Sequence, residues 1–304
     1  MTARGRHIVA FAGQQVAIEW RGPAAACLVA LLGGRSARDF EAGSAVFPAT
    51  EEAPLVVTLR LSAVEHDGVA SVALEHGDIE LYRGPSLGTA ALHLLQHALH
   101  HLIDRSDGGL VLHAALVGFG DGGVVLPGPS GSGKSMLAAW LASRGGQPLA
   151  DEACYLPDGV WHLTPFPRAF CFKGPWAEPL GLSDAVETFR SGDVRIVRPE
   201  QIPTGQVAPG IVATTSTVPV VPRLLVFPRY QRDAPFALTP MRPARAAVRL
   251  FETVANARNL SDYGVAAVAG LVRAIPAFGL SYGHVDQLKR LLDLIALETG
   301  PQPS

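Results

Sequence analysis

The sequence predicts a mixed α/β protein in which a smaller β-rich (α+β) domain, residues 1–105, precedes an α/β domain, residues 106–304. Apolar and polar residues alternate over residues 55–61, as they do in a strand with one buried face. In the second part, an apolar run at residues 123–126 leads through a glycine-rich loop into the helical periodicity of residues 136–142. A strand, a loop and a helix in that order are the repeating unit of α/β folds.

The elements of the first domain follow from turn and helix signals. Gly13 separates two short runs of strand character, and Pro23 is placed where a helix begins. The expected elements are strands within residues 8–20 and at 55–61, 69–75 and 78–82, and helices at 24–32 and 86–103. We find no residue pattern in this domain that indicates chemistry of its own.

The second domain is expected to begin after the polar, glycine-containing segment at residues 106–109. Its expected strands lie at 110–117, 123–126, 148–150 and 223–227. Residues 155–221 are expected to form strands and loops, with a short helical pattern near 182–189. The expected helices lie at 136–142, 244–256, 265–273 and 284–298.

The helix at 86–103 carries four histidines, and His93, His97 and His100 fall on one face of it. Imidazoles at this spacing can ligate a metal ion. The segment offers no further ligand of a suitable type, and leucines occupy the opposite positions. We therefore expect these three residues and His101 to be solvated surface histidines, with a metal site as the alternative.

Composition limits the function classes. Hydrophobic residues make up 48% of the 304 residues and charged residues 17%, which favours a folded chain with a large core. The formal net charge of -2 provides no basic surface for nucleic acid, and no apolar run approaches the roughly 20 residues of a membrane span. Three widely spaced cysteines fit a reducing compartment. We expect a cytoplasmic protein that binds neither nucleic acid nor a membrane.

The glycine-rich loop matches the Walker A pattern G-x-x-x-x-G-K-[ST] at every position. Its residues are Gly128, Pro129, Ser130, Gly131, Ser132, Gly133, Lys134 and Ser135. Glycines let backbone amides turn towards a polyphosphate, and the helix that follows adds the positive end of its dipole. Lys134 is expected to reach the β- and γ-phosphates, and the Ser135 hydroxyl to ligate Mg²⁺. The loop predicts nucleotide binding without specifying the reaction.

Two carboxylates, Asp151 and Glu152, directly follow the predicted strand at 148–150. An acidic strand end located one helix after a phosphate-binding loop is where P-loop folds hold their metal ion. The alternative is an acidic surface turn. The position in the chain favours the metal-facing interpretation.

The second domain resembles the C-terminal kinase domain of HPr kinase/phosphorylase and its relatives, which are bacterial protein-serine kinases built on a P-loop. Four segments carry the resemblance: His113 at the family's distance before the lysine, the loop at 128–135, the Leu-Ala-Asp-Glu segment at 149–152, and the Pro-Met-Arg-Pro-Ala-Arg segment at 240–245 with the helix that follows it. The likeness covers roughly residues 106–300. The first hundred residues do not match the family's N-terminal domain.

The resemblance implies a role for each matched residue. Asp151 would be the catalytic base that takes the proton from a serine hydroxyl, with His113 beside it to orient or tune the carboxylate. Lys134 and the loop amides would hold ATP, and Ser135 and Glu152 would hold Mg²⁺. Family members assemble as hexamers, so a homo-oligomer is a possible outcome.

The sequence departs from the family pattern in two places. Glu152 replaces the family's second aspartate, and residues 165–174 do not reproduce the signature that accompanies the reverse, phosphorylase reaction. Arg168 and Lys173 are candidates for contacts with phosphate or acceptor, and surface charge is the alternative. Arg245 is a further candidate for a phosphate contact, with a capping or bracing role in its helix as the alternative.

These observations favour an ATP- and Mg²⁺-dependent kinase that phosphorylates a serine-type hydroxyl of a small protein or peptide, with the N-terminal domain helping to dock that substrate. Two alternatives stay open. One is a small-molecule kinase, because P-loop folds serve many acceptors. The other is a nucleotide-switched binding module, which needs no acceptor-activating base.

Overall fold

The computed structural model describes residues 3–32, 54–66, 69–120, 122–166, 168–173, 189–198, 201–202 and 219–299. The helical pattern expected near residues 182–189 lies outside these residues, except for its last position, which belongs to a strand. In the described part of the chain, no helix combines the length and apolar character that crossing a bilayer requires.

The strands are numbered in chain order. They are β1 Arg4–Phe11, β2 Gln14–Arg21, β3 Leu55–His66, β4 Val69–His76, β5 Ile79–Gly84, β6 Gly109–Leu112, β7 Ala114–Phe119, β8 Gly122–Pro127, β9 Gln147–Ala150, β10 Cys154–Pro157, β11 Thr164–Pro165, β12 Phe170–Lys173, β13 Phe189–Ser191, β14 Val194–Val197, β15 Val221–Tyr230, β16 Ala237–Pro240 and β17 Ala277–Tyr282. The mixed α/β class predicted from the sequence is confirmed, but β16 and β17 were not anticipated.

The helices agree with their predicted positions and differ at their ends. They are α1 Pro23–Val29, α2 Leu87–Asp104, α3 Lys134–Ala142, α4 Pro243–Phe251, α5 Val265–Ala274 and α6 Lys289–Thr299, with short 3₁₀ segments at Ala257–Asn259 and Val285–Leu288. Helix α4 stops five residues before the predicted end because Val254 pairs with Leu112 and the Ala255 amide donates to the Val111 carbonyl. The chain there leaves the helix to hydrogen-bond with β6.

The chain forms two compact units. Of the described residues, those up to Asp107 together with 168–173 and 189–198 belong to the first unit, and the others belong to the second. The sequence had assigned the two later segments to the second domain.

The first unit is built on a sheet with the strand order β1-β2-β3-β4-β5. Strands β2 and β3 run parallel and the other neighbours antiparallel. Helix α2 begins at its cap Ser86, whose hydroxyl accepts from the Thr89 amide at 3.1 Å. Its leucine- and alanine-rich face is buried, which is what its apolar periodicity predicts. A small sheet in the order β12-β14-β13 completes the unit.

Three of the four histidines of α2 correct the expectation of solvated side chains, whereas His100 is exposed as expected. His93, His97 and His101 are half-buried, and the rings of His101 and His76 of β4 meet edge to face with centroids 4.7 Å apart. Burial and the neighbouring imidazoles lower the pKa of His101 to about 4. The described residues contain no set of three or more His, Cys, Asp or Glu side chains arranged to hold a metal ion.

The second unit is built on a sheet with the strand order β16-β17-β15-β8-β7-β9. Strand β15 runs parallel to both β8 and β17, while β7 runs antiparallel to β8 and β9. The near-continuous apolar runs of β7 and β8 are explained by burial along their whole length. The core of this unit includes Leu112, Leu116, Val125, Ala150, Phe227, Leu250, Val268 and Leu271.

Candidate active site

Strand pairing brings three chain segments to one edge of the main sheet. Ala114, the first residue of β7, pairs with Pro127, the last residue of β8. Leu116 of β7 pairs with Ala150, the last residue of β9. The residue before β7, the loop after β8 and the residues after β9 therefore meet at the same edge. These are His113, the 128–135 loop and the Asp151-Glu152 pair, which the sequence had singled out separately.

The loop ends in a backbone conformation that glycine favours. Gly131 and Gly133 have φ of 84° and 96°, in the left-handed region. Gly133 caps α3, and its carbonyl accepts the Leu137 amide at 2.9 Å. The first amides of α3 have no partner within the helix, so this terminus favours a bound anion.

Lys134 is folded into the loop, with only 5% of its surface exposed. Its Nζ donates to the carbonyl oxygens of Gly128 at 2.7 Å and Pro129 at 3.0 Å. A third contact of 3.0 Å joins Nζ to His113 Nε2. An ammonium group has donors only, so the imidazole nitrogen accepts in this contact.

The other nitrogen of His113 faces Glu152. Nδ1 lies 3.0 Å from the Glu152 carbonyl oxygen and 3.1 Å from its carboxylate Oε1. Because Nε2 accepts from Lys134, Nδ1 carries the proton and donates to Glu152. The main chain of His113 is also fixed, since its amide donates to the Thr253 carbonyl at 2.7 Å. His113 therefore links the lysine of the loop to the acidic segment.

Asp151 lies directly after β9 and is 2% exposed. The resemblance placed His113 beside Asp151, whereas the hydrogen bonds described for the His113 ring go to Glu152 and Lys134. The imidazole thus contacts the residue that follows the predicted base. Strand register explains this, because Ala150 at the end of β9 pairs with Leu116 and Cys154 at the start of β10 pairs with Leu112, so the residues between them pass His113.

Two features of the loop fit a polyphosphate. Ser132 Oγ is buried, and it has no hydrogen-bond partner among the residues that the structure describes. Its neighbours on either side are the two positive-φ glycines, which allow successive amides to point the same way. Ser135, half-buried in the first turn of α3, and the half-exposed Glu152 carboxylate offer oxygen ligands of the kind that Mg²⁺ prefers.

Three supporting residues were not predicted as such. Tyr282 Oη donates to the Gly133 carbonyl at 3.1 Å, and the Tyr230 amide donates to the Ser132 carbonyl at 2.9 Å. The buried side chain of Asn256 accepts from the Val111 amide and donates to the Gly109 carbonyl, which holds β6 next to His113. Large and small residues alternate along β17, which is a sequence signal for a strand. No local pattern indicates that a tyrosine of this strand contacts a loop that is distant in the chain.

Three further candidates, Arg168, Lys173 and Arg245, are not among the residues that this strand pairing brings together. Arg168 and Lys173 belong to the first unit. Arg168 is 3% exposed, and its guanidinium donates to the Ala169 carbonyl at 3.2 Å and to Cys171 Sγ at 3.0 Å, whereas Lys173 is exposed on β12. Arg245 is exposed in the first turn of α4. Strand register and hydrogen bonds group His113, the loop, Asp151 and Glu152, and the phosphate or acceptor contacts of Arg168, Lys173 and Arg245 stay predictions.

No protein-family model matches the chain, and no curated protein matches it. Among solved structures, the chain is similar to the HPr(Ser) kinase/phosphatase from Coxiella burnetii. The sequence identity is 14% and the TM-score 0.28, over 62% of this chain and 93% of that chain. A similarity this low does not indicate a function for this chain.

Proposed function

We propose that the second unit is an ATP- and Mg²⁺-dependent phosphotransferase that phosphorylates a serine-type hydroxyl of a small protein or peptide. The observation that carries the proposal is the convergence of His113, the Lys134 loop and the Asp151-Glu152 pair at one sheet edge. Phosphoryl transfer needs a phosphate cradle, neutralising charge and a base close to the acceptor oxygen. The convergence supplies candidates for all three.

The loop is suited to the triphosphate of ATP. The amides around Gly131 and Gly133 and the α3 N-terminus attract negative charge, and Ser132 Oγ can contribute a further donor. Lys134 Nζ already lies inside the cradle on the carbonyl oxygens of Gly128 and Pro129. A phosphate oxygen that enters the loop would replace a carbonyl oxygen as the acceptor for one or more N–H groups of Lys134 Nζ.

Ser135 and Glu152 are the proposed Mg²⁺ ligands. A bound Mg²⁺ would neutralise charge on the transferred group. The Nδ1–H of His113 orients Glu152 through both its carbonyl and its carboxylate oxygen. This contact restricts the long glutamate side chain in the place where the family pattern has the shorter aspartate.

Asp151 is the proposed base. It would accept the proton of the acceptor hydroxyl as the hydroxyl oxygen forms its bond to phosphorus and the bond from phosphorus to the leaving diphosphate breaks. Its 2% exposure means that an acceptor must approach closely to reach it, so the reacting group is sheltered from bulk water.

The proposal is tested by incubating the protein with γ-labelled ATP, Mg²⁺ and either lysate or candidate peptides, followed by mass spectrometry of the labelled species. We expect label on a serine or threonine hydroxyl, and no label with Asp151→Asn. Label on a metabolite alone would show a small-molecule kinase. Nucleotide binding without any label on an acceptor would show a nucleotide-switched module.

A further inference from the structure

Two tyrosines from the ends of β15 and β17 hold the last two residues of the loop before Lys134. The Oη of Tyr282 donates to the Gly133 carbonyl at 3.1 Å, and the amide of Tyr230 donates to the Ser132 carbonyl at 2.9 Å. The two tyrosine rings meet edge to face, with centroids 5.5 Å apart. Tyr282 is fully buried, so bulk water cannot replace the Gly133 carbonyl as the partner of its hydroxyl. Breaking this hydrogen bond therefore costs free energy.

The tyrosines also leave no room for a side chain at Gly133. A Cβ placed there would lie 2.6 Å from Tyr282 Oη and 2.8 Å from Tyr230 Cβ. The glycine is thus required by its surroundings as well as by its φ of 96°. The fit between glycine and tyrosines fixes the end of the loop against the sheet.

Tyr282 is itself held by its neighbours. It pairs with Tyr230 in the parallel register of β15 and β17, and its carbonyl accepts the Gln231 amide at 3.1 Å. Beyond it, Gln287 Oε1 accepts the amides of Gly283 and His284 at 3.0 and 3.2 Å. The tyrosine hydroxyl is therefore presented to Gly133 from a fixed strand end.

These contacts determine the direction of two amides. In a trans peptide the C=O and the N–H of the next residue point in opposite directions. Because the carbonyls of Ser132 and Gly133 are bound on the side of β15 and β17, the N–H groups of Gly133 and Lys134 point away from those strands. These are the amides that a phosphate-binding loop offers to its ligand.

We propose that Tyr282 is a positioning residue of the phosphate-binding loop, which sets the Gly133–Lys134 peptide for an incoming phosphate before any nucleotide is present. That the ligand is a nucleotide rests on the proposed function, whereas the fixing of the loop conformation by Tyr282 does not. Loss of the Tyr282 hydroxyl leaves the Gly133 carbonyl with its helical partner, the Leu137 amide, and frees the peptide to tilt.

The test compares wild type with Tyr282→Phe, which fills the same volume without the hydroxyl. The matched control is Tyr263→Phe, which removes the hydroxyl of a 60% exposed tyrosine in the same unit. Two quantities are measured: amide hydrogen exchange of residues 128–137 in the nucleotide-free protein, and the Kd for ATP with Mg²⁺ by calorimetry.

We expect Tyr282→Phe to speed exchange in the loop while β8 keeps its protection, and to weaken ATP binding about 5- to 10-fold, the usual effect of one hydrogen bond. Tyr263→Phe should change neither. A Tyr282→Phe protein that melts earlier but retains loop protection and ATP affinity has lost only stability, and the inference is then wrong. If wild type binds no nucleotide, the proposed function fails, and the exchange data alone decide whether Tyr282 presets the loop.

Discussion

Lys134 Nζ lies 3.0 Å from His113 Nε2, so the lysine of the 128–135 loop is hydrogen-bonded to the histidine before β7. The opposite ring nitrogen of His113 donates to Glu152. The His113 ring thus joins Lys134 of the loop to Glu152 of the acidic pair. Under the proposed function, movement of Lys134 towards a phosphate would change the contacts of His113 and so link nucleotide binding to the acidic residues.

Lys134→Ala should weaken ATP binding, because it removes the buried ammonium group to which the proposed function assigns the phosphate contact. Calorimetric titration with ATP and Mg²⁺ measures this, and we expect a loss of at least about tenfold, consistent with a charge-assisted hydrogen bond. The exposed Lys289→Ala on α6 removes the same charge from the same unit and serves as the control. Equal affinities for wild type and Lys134→Ala would count against the phosphate cradle.

Asp151→Asn should keep ATP affinity and lose phosphoryl transfer by roughly a hundredfold or more, the usual contribution of a general base. The amide has the same shape but cannot accept the hydroxyl proton. Transfer to the identified acceptor is measured under single-turnover conditions, with the exposed Asp158→Asn as the matched change. Transfer that survives nearly intact would assign the base to another group.

His113→Gln should lower transfer more than ATP affinity, because the ring contacts both Lys134 and Glu152 whereas the cradle carbonyls still hold the lysine. Glutamine cannot reproduce a ring whose two nitrogens face opposite partners. Separate measurements of ATP affinity and transfer rate test this, and the exposed His162→Gln is the control. An unchanged transfer rate would show that the link is only structural.

The first unit should lose stability in mild acid. His101 has a folded pKa of about 4, below its usual value of 6.5, because burial and His76, His100 and His97 disfavour the charged ring, while Asp104 acts in the opposite direction. The unfolded chain therefore binds more protons between these two pH values. The stabilisation from a neutral His101 is complete above pH 6.5 and is lost as the pH falls towards 4.

Denaturant unfolding at pH 7.5 and pH 5 measures this loss. His101→Gln should reduce the pH dependence without abolishing it, because burial also lowers the pKa of His7 in the same unit to about 4, and His162→Gln, at an exposed position of the second unit, should leave the dependence unchanged. An identical pH dependence in wild type and His101→Gln would exclude His101 as the source.

Asn256→Ala should destabilise the second unit by roughly 2–4 kcal/mol, since it leaves two buried backbone groups of β6 without partners. The side chain accepts from the Val111 amide at 2.9 Å and donates to the Gly109 carbonyl at 2.8 Å. Denaturant unfolding gives the change in free energy. Asn259→Ala, three residues along the same turn, is the comparison, and an effect no larger than that of Asn259→Ala would contradict the assignment.

The sequence by itself predicted the loop, because glycines, lysine and serine at fixed spacing between a buried strand and a helix have one common structural meaning. It also predicted three candidate site residues near the loop, which are His113, Asp151 and Glu152. The loop and the acidic pair were predicted from local spacing, whereas His113 was singled out by the family resemblance. Local periodicity also predicted the range of α2 to within one residue at each end, but it placed the end of α4 and the start of α6 five residues away from where they lie.

The tertiary structure decided which of these side chains touch. The register of β7 against β8 and β9 sets His113 on Glu152 and Lys134, and a shift of one residue would turn the ring to the other face of the sheet. The bridge between Arg168 and Leu32, the packing of His101 against His76 and the support of Gly133 by Tyr282 depend likewise on residues far apart in the chain. No periodicity reports such contacts, because they arise only when separate strands and helices are packed together.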